Sequence, residues 1–158
     1  MATTVAHAVS ASWIAVMAIN IQPDETPYIL TAVLAAAVLD LDHLVFIIRD
    51  RAFYQGKGYA GNLHHARSPL HELFGLLLMG GVAGFFTFID KKAACLVFLA
   101  FTVHLLQDWF MGISFPLSPI DNTPVQFFTL SFAQKVIIDA MLLVVFGGLW
   151  MLFLTGAR

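Results

Sequence analysis

Residues 133–154 read AQKVIIDAMLLVVFGGLWMLFL, and no charged side chain follows Asp139 in this segment. About 20 mostly apolar residues are enough for an α-helix to cross the hydrocarbon core of a bilayer. The segment therefore predicts a membrane-spanning helix. It also indicates the class of the whole chain, which we expect to be an all-α, polytopic membrane helical bundle.

The composition agrees with a membrane protein. Of the 158 residues, 59% are hydrophobic and 11% are charged, against about 25% charged residues in an ordinary soluble domain. This balance excludes a soluble globular enzyme, a disordered tail and a nucleic-acid-binding domain, so we expect no nucleic-acid partner. The single cysteine, Cys95, excludes an intrachain disulfide framework. The length suits one integral membrane domain over residues 1–158.

Four further apolar segments are candidate spans: residues 4–20, 28–48, 70–89 and 93–112. Polar or proline-containing stretches separate them at residues 22–27, 49–69, 90–92 and 113–132. We predict five spans. The first segment is short and carries His7, Ser10 and Ser12, so the alternative is four spans plus a re-entrant N-terminal segment.

The loop charges bear on orientation, because Lys and Arg are enriched in cytoplasmic loops. With five spans, the face that holds the N-terminus carries Arg49, Arg51, Lys57, Arg67 and Lys135. The opposite face carries Lys91, Lys92 and Arg158. The bias predicts a cytoplasmic N-terminus.

Ionisable residues within the spans are the main functional signal, because charge at membrane depth is costly and by default marks a function. With alternating span directions, all of them fall in the half of the bilayer nearer the N-terminus. They are His7, Asp40, Asp42, His43, His71, Glu72, His104, Asp108 and Asp139. This distribution predicts a shared polar pocket that is open towards the N-terminal face.

The spacing of these residues indicates metal chemistry. Asp40 and His43 are i,i+3 neighbours on a helix, and His104 and Asp108 are i,i+4 neighbours. Pairs of His and carboxylate on facing helices build metal sites in bundles, and mixed oxygen and imidazole ligands suit zinc, manganese or iron better than calcium. We therefore predict a divalent metal, zinc or manganese first, with ligands from His7, Asp40, His43, His71, His104 and Asp108.

Each of these residues also has a purely structural interpretation. A lone histidine in a helix is usually a satisfied packing residue, and Asp40 or Asp42 could cap a broken helix. His64 and His65 lie in a loop that we expect to be solvated. Asp139 could pair with Lys135 at i,i+4.

These residues resemble the YdjM-type inner-membrane proteins, a family of membrane-bound metal-dependent hydrolases. That family shows an N-terminal Thr-rich stretch before a His, a Pro-Asp-x-Asp-His motif, a His-Arg-x-x-Thr-His-Ser motif, and a His-x-x-x-Asp motif followed by Trp-Pro-x-Ser. The matching positions here are Thr3 to His7, Leu39 to His43, and His104 with Asp108, followed by Phe115 to Ser118.

The third motif departs from the family pattern. This chain reads HHARSPLHE over residues 64–72. Arg67 and His71 keep the family spacing, whereas Leu70 replaces Thr and Glu72 replaces Ser. His71 is therefore a stronger candidate ligand than His64 or His65. The resemblance covers almost the whole chain, and it implies a bacterial or archaeal cytoplasmic membrane and a hydrolase.

The residues themselves are compatible with hydrolysis. A bound divalent ion activates a water molecule and polarises the target oxygen. Asp42 or Glu72 could act as general base, and Arg67 could hold a substrate phosphate through paired hydrogen bonds. A site near a membrane face favours a lipid or amphiphilic phosphoester, so membrane lipids are the expected partners. Residues 113–132 could form a lid or a lipid entry, and the phenylalanines of this stretch favour interfacial anchoring.

Two other classes of function remain open. The chain could be a non-catalytic subunit of a larger membrane complex, with histidines that ligate haem or a chlorophyll-type pigment. The abundance of carboxylates argues against that role. An ion or proton transporter could use the Asp and His residues as a relay, but nothing ionisable lines the other half of the predicted bundle.

Overall fold

A computed structural model describes residues 4–41, 68–121 and 123–156. Within these ranges the fold is all-α, as predicted. It comprises α1 (Thr4–Ala18), α2 (Thr26–Val38), a 3₁₀ turn (Pro69–His71), α3 (Leu73–Phe86), α4 (Lys91–Met111) and α5 (Phe132–Thr155). Two short antiparallel strands, β1 (Ile113–Ser114) and β2 (Val125–Gln126), pair between α4 and α5.

The ends of the two longest helices follow from local sequence. The Asp90 side chain accepts a hydrogen bond from Ala93 N at 3.0 Å and caps the start of α4. Ser131 and Gln134 form a reciprocal capping box at the start of α5. At the other end of α5, Gly156 adopts a left-handed conformation with φ of 65°, which glycine tolerates without a Cβ clash.

Helices α1 and α4 lie at the centre of the bundle. Helix α1 packs against α2, α4 and α5, and α4 packs against α1, α2 and α3. The buried surface of α1 is formed largely by small side chains, among them Ala6, Ala11 and Ala15. Small residues let helix backbones approach closely, which is the usual way in which helices associate within a membrane.

Helix α5 is built in the opposite way. It is strongly apolar, yet Asp139 is the one residue among its described side chains that is buried. Large apolar residues such as Val144 lie on its outer surface. An apolar surface of this kind is unusual for a soluble monomer and is expected of a helix that faces lipid.

Helix length divides the predicted spans into two groups. Helices α4 and α5, at 21 and 24 residues, are long and apolar enough to cross a membrane. Helices α1, α2 and α3 contain 15, 13 and 14 residues. The second predicted span continues past α2 into residues 42–48, which lie outside the described residues.

The third predicted span begins differently from expectation. We predicted one segment over residues 70–89, but the chain forms the 3₁₀ turn first, and Glu72 then adopts an extended conformation before α3 begins. Ser68 and Pro69 explain the turn, because the Ser68 side chain accepts from Leu70 N at 3.2 Å and proline favours the first position of a helical turn. The break turns the chain at the point where His71 enters the interior.

Candidate metal centre

Four of the predicted ligands converge in the interior of the bundle. Asp40 follows α2, His71 ends the 3₁₀ turn, and His104 and Asp108 lie one turn apart on α4. All four side chains are buried, and one ligand atom from each lies within 4.8 Å of the others. The structure therefore brings together residues that are up to 68 positions apart in the sequence.

The four ligand atoms alternate between nitrogen and oxygen. His104 Nε2 lies 3.4 Å from Asp40 Oδ1 and 3.6 Å from Asp108 Oδ2. His71 Nε2 lies 3.6 Å from each of the same two oxygens. A tetrahedron with corners about 2.1 Å from its centre, the usual Zn–N and Zn–O distance, has edges of about 3.4 Å. The four nitrogen–oxygen distances are close to that edge length, and all four ligand atoms lie within 4.8 Å of one another, so one divalent ion could contact two imidazoles and two carboxylates.

The ring of His104 is oriented by a backbone carbonyl of α2. Its Nδ1 lies 2.5 Å from Ala36 O. Because a carbonyl oxygen only accepts hydrogen bonds, Nδ1 carries the proton and donates it. The other ring nitrogen, Nε2, is buried and makes no hydrogen bond within the described part of the chain. A metal-bound histidine typically has this arrangement, in which the second ring nitrogen donates to a carbonyl or carboxylate.

The position of His71 depends on two contacts of the turn that carries it. The Trp109 indole Nε1 donates to His71 O at 3.1 Å, which fixes the turn against α4. Gly75 allows α3 to approach the turn, since a Cβ built on this residue would lie 1.9 Å from Leu70 O. No side chain fits at that distance, so glycine is required for this close approach.

His7 lies beside the centre, on the far side of Asp108. Its Nδ1 is 3.4 Å from Asp108 Oδ1, the oxygen that does not face His71 and His104. Its ring meets that of His104 edge to face, with 4.9 Å between the ring centroids. We predicted His7 as a ligand, whereas the structure places it outside the four converging ligand atoms and next to a carboxylate of that group.

Glu72 is buried beside His71 and contacts a different part of the chain. Its Oε1 accepts a hydrogen bond from Phe115 N at 2.7 Å. The carboxylate thus links the start of α3 to the segment that follows α4. The predicted role of Glu72 as a general base stays a prediction, and this hydrogen bond indicates a positioning role as well.

Several predicted residues lie outside the described residues. They are the candidate ligand His43, the candidate base Asp42, the candidate phosphate-binding residue Arg67, and the loop histidines His64 and His65. Asp139 is described and is buried on α5.

A second polar cluster lies at the other end of α2 and α4, and we call Glu25, Tyr28, Asp90 and Lys92 the polar latch. Lys92 Nζ pairs with Glu25 and lies 5.0 Å from the centroid of the Tyr28 ring, and the Tyr28 hydroxyl donates to Asp90 at 3.0 Å. The hydrogen bond from Lys92, with a second from Gln22 N, holds the pKa of Glu25 below its ordinary value of 4.5. The Ala93 N–H, with the Tyr28 hydroxyl, likewise lowers the pKa of Asp90.

Sequence reasoning missed the residues that orient the ligands. Nothing in the sequence singles out the carbonyl of Ala36, because every residue carries one. Trp109 gave a usable signal, since an indole N–H that leaves water needs an acceptor and Trp109 directly follows Asp108. Gly75 gave another, because glycine is costly inside a helix unless the backbone requires it.

Comparison with known proteins supports the resemblance that the motifs suggested. A family model described as YdjM inner membrane protein matches residues 1–157. No curated protein and no solved structure matches the chain. With a match over all but its last residue, the chain belongs to the YdjM inner membrane protein family.

Proposed function

We propose that this protein is a polytopic inner-membrane hydrolase that uses a divalent metal, zinc or manganese first, to cleave a phosphoester or ester bond of a lipid or other amphiphile. One observation carries the proposal. Two buried imidazoles and two buried carboxylates present four ligand atoms within 4.8 Å of one another, in a member of an inner-membrane family.

The protonation of His104 supports a cation at this point. Since Nδ1 donates to Ala36 O, the neutral ring directs the lone pair of Nε2 towards the two carboxylates at 3.4 and 3.6 Å. A lone pair facing carboxylate oxygens is repulsive unless a positive charge lies between them. A metal ion or a second proton on the ring supplies that charge, and the two can be distinguished by experiment.

The chemistry divides between the metal and the protein. When bound, a divalent ion lowers the pKa of a coordinated water towards neutrality and polarises the oxygen of the substrate. Asp40, His71, His104 and Asp108 would hold it, and His43 would join them from outside the described residues. Asp42 or Glu72 would accept the proton of the water, and Arg67 would bind the anionic oxygens of a phosphoester.

The proposed topology places this site near one face of the membrane. We infer five spans, or four spans and a re-entrant N-terminal segment, with the N-terminus in the cytoplasm. The 15 residues of α1 extend about 22 Å, against about 30 Å of hydrocarbon. Helix α3, with 14 residues, is shorter still, so both topologies stay in the proposal.

The donor spacing favours an ion over a pigment. Axial ligation of a haem or chlorophyll needs one histidine with space in front of its ring for a flat macrocycle. Here the Nε2 atoms of His71 and His104 both lie 3.4–3.6 Å from carboxylate oxygens. That spacing suits a single ion.

Metal content is the first test. We expect detergent-purified protein to hold about one equivalent of zinc, manganese or iron by mass spectrometry, because burial of several carboxylates favours a bound cation. Asp108→Asn should lose it. Asp24→Asn is the matched control, because this substitution makes the same chemical change in an exposed turn. A folded parent that stays free of metal after reconstitution would remove the centre of the proposal, and a Soret-like absorption band would favour the pigment-binding alternative.

Turnover is the second test. The metal-loaded protein should release headgroups or fatty acids from a total lipid extract, and a chelator should stop the release. Asp24→Asn should behave as the parent does. Bound metal without turnover on any lipid class would contradict the hydrolase and leave the metal site standing.

A further inference from the structure

The segment between α4 and α5, residues 112–131, exposes apolar side chains although it is not helical. Ile120 is 94% exposed, Leu117 58%, and Phe127 and Phe128 53% each. Asp121 is the only charged residue between Asp108 and Lys135 in the sequence. Exposed apolar side chains that are grouped on one segment are typical of a surface that contacts a membrane or another protein.

The attachments of the segment define where that environment is. One end continues from α4 and the other leads into α5, the two helices long enough to cross a membrane. The β1–β2 ladder folds the segment back, and the Phe110 ring of α4 contacts those of Phe127 and Phe128 at 5.9 Å between centroids. A segment held this closely to the ends of spanning helices lies at the boundary between lipid headgroups and acyl chains.

The backbone of the segment is suited to an environment poor in water. Ser118 N donates to Phe115 O, and Ile120 N and Asp121 N donate to Leu117 O, at 2.8–3.0 Å. Positions 116, 119 and 124 are prolines, which have no N–H to satisfy. These hydrogen bonds and the three prolines lower the cost of placing this stretch of irregular structure in a bilayer interface.

The segment is also joined to the metal centre. Glu72 Oε1 accepts from Phe115 N, and Glu72 directly follows the ligand His71. Ser114, the residue before Phe115, is fully buried. The segment is therefore buried where it meets the centre and exposed at its apolar tip.

From these observations we propose that residues 112–121 and 123–131 form a lipid-binding surface embedded in the membrane interface, and that Glu72 ties this surface to the metal centre. Its partner is a bilayer lipid whose acyl chains lie against Leu117, Ile120, Phe127 and Phe128. Cleavage of the bound lipid rests on the proposed hydrolase activity, whereas insertion of the segment into the membrane interface does not.

Spin labelling in reconstituted bilayers tests the insertion. Cys95 is the only cysteine, so a Cys95→Ser background accepts single labels at Ile120→Cys or Phe127→Cys. Val144→Cys, 76% exposed on α5, is the lipid control, and Asp24→Cys, in an exposed polar turn, is the water control. We expect the labels at Ile120 and Phe127 to be accessible to oxygen and shielded from a water-soluble nickel chelate, as at Val144. Accessibility equal to that at Asp24 would overturn the proposal.

A pair of substitutions tests the connection to the metal centre. Glu72→Ala removes the acceptor of the Phe115 N–H, whereas the amide oxygen of Glu72→Gln still accepts. The label at Ile120 should become several-fold more mobile in Glu72→Ala and remain as in the parent in Glu72→Gln. Equal mobility in both variants would show that Glu72 does not tie the segment.

The design separates this proposal from the proposed function. Label depth is measured without turnover and without metal, so an inserted segment in a protein that hydrolyses no lipid would overturn the hydrolase alone. A water-exposed segment in an active enzyme would overturn the lipid-binding surface alone.

Discussion

The two ends of the α2–α4 pair hold polar clusters of opposite design. In the polar latch, Glu25 and Asp90 lie at the surface and pair with a lysine ammonium and a tyrosine hydroxyl. In the interior cluster, Asp40 and Asp108 are buried, and the partners that the described residues offer them are imidazoles. The latch carries its own fixed cation, whereas among the described residues a positive charge in the interior cluster comes from a proton on an imidazole or from a metal.

This difference separates a structural cluster from a chemical one. Exposed ion pairs contribute little to stability, about 0–1 kcal/mol each, and solvent can replace either partner. Buried carboxylates cannot exchange their partners for water, so they stay charged only while a cation remains with them. Removing the cation from the interior cluster should therefore affect the protein far more than breaking the latch.

The largest expected effect comes from the interior cluster. With metal at about 100 times its dissociation constant, the parent should gain about 2.7 kcal/mol in unfolding free energy by mass action. His104→Ala should lose this gain, because it removes a ligand, while Lys92→Ala should keep it. Thermal unfolding in detergent with and without added metal measures the difference. An equal metal-dependent gain in unfolding free energy in both variants would show that the two clusters do not differ in this way.

A smaller effect is expected from the glycine that admits the turn of His71. Gly75→Ala would place a Cβ 1.9 Å from Leu70 O, so the turn must shift, and we expect a cost of about 1–3 kcal/mol together with weaker metal binding. Gly148→Ala is the control, because a methyl added there meets no described atom within 4 Å. It should stabilise helix α5 by about 0.5–1 kcal/mol. Normal metal affinity in Gly75→Ala would show that the turn does not position the ligand.

Two tryptophans offer a closer comparison. Trp109 Nε1 donates to His71 O at 3.1 Å, and Trp150 Nε1 donates to Val9 O at 3.0 Å. Conversion of either to Phe removes one hydrogen bond, worth about 0.5–1.5 kcal/mol. Only Trp109→Phe should also weaken metal binding, by about 10-fold, as loss of an outer contact to a ligand does. Metal titrations of the two variants measure this, and equal affinities would assign Trp109 a purely structural role.

The sequence was informative where the structure is decided by the hydrophobicity of one segment or by the energetic cost of placing a charge in a bilayer. The long apolar runs predicted α4 and α5 to within about two residues, because a helix that crosses a bilayer needs about 20 mostly apolar residues. Because charge in a bilayer is rare and expensive, position within the predicted spans selected nine ionisable residues before any contact was known. Asp40, His71, His104 and Asp108 are four of them. The first inference depends on one segment at a time, and the second adds only the alternating direction of successive spans.

Contacts between particular groups of two segments could not be predicted from the sequence. The carbonyl of Ala36 orients His104 from a distance of 68 residues, and no side-chain pattern marks a carbonyl as an acceptor. The turn before α3 depends on the approach of Gly75 to Leu70. His7 looked like a further ligand, and only the packing of α1 against α4 places it at the second oxygen of Asp108.

The smallest expected effect concerns the latch and acid. Because the pKa of Glu25 is lower in the folded protein than its ordinary 4.5, owing to Lys92 first and Gln22 N second, the unfolded chain binds the proton more readily. The contribution of Glu25 to stability is thus complete above pH 4.5 and is lost as the pH falls through the folded value.

Glu25→Gln lacks this contribution at every pH. Acid also releases metal and protonates Asp90 in both proteins, so the informative quantity is the difference between the two unfolding curves. That difference should be small at neutral pH and shrink towards zero in acid. A difference that grows in acid would mean that the pairing with Lys92 does not favour the charged form of Glu25. The contrast with the interior cluster would then fail, because it requires that the built-in cation of the latch stabilise this carboxylate.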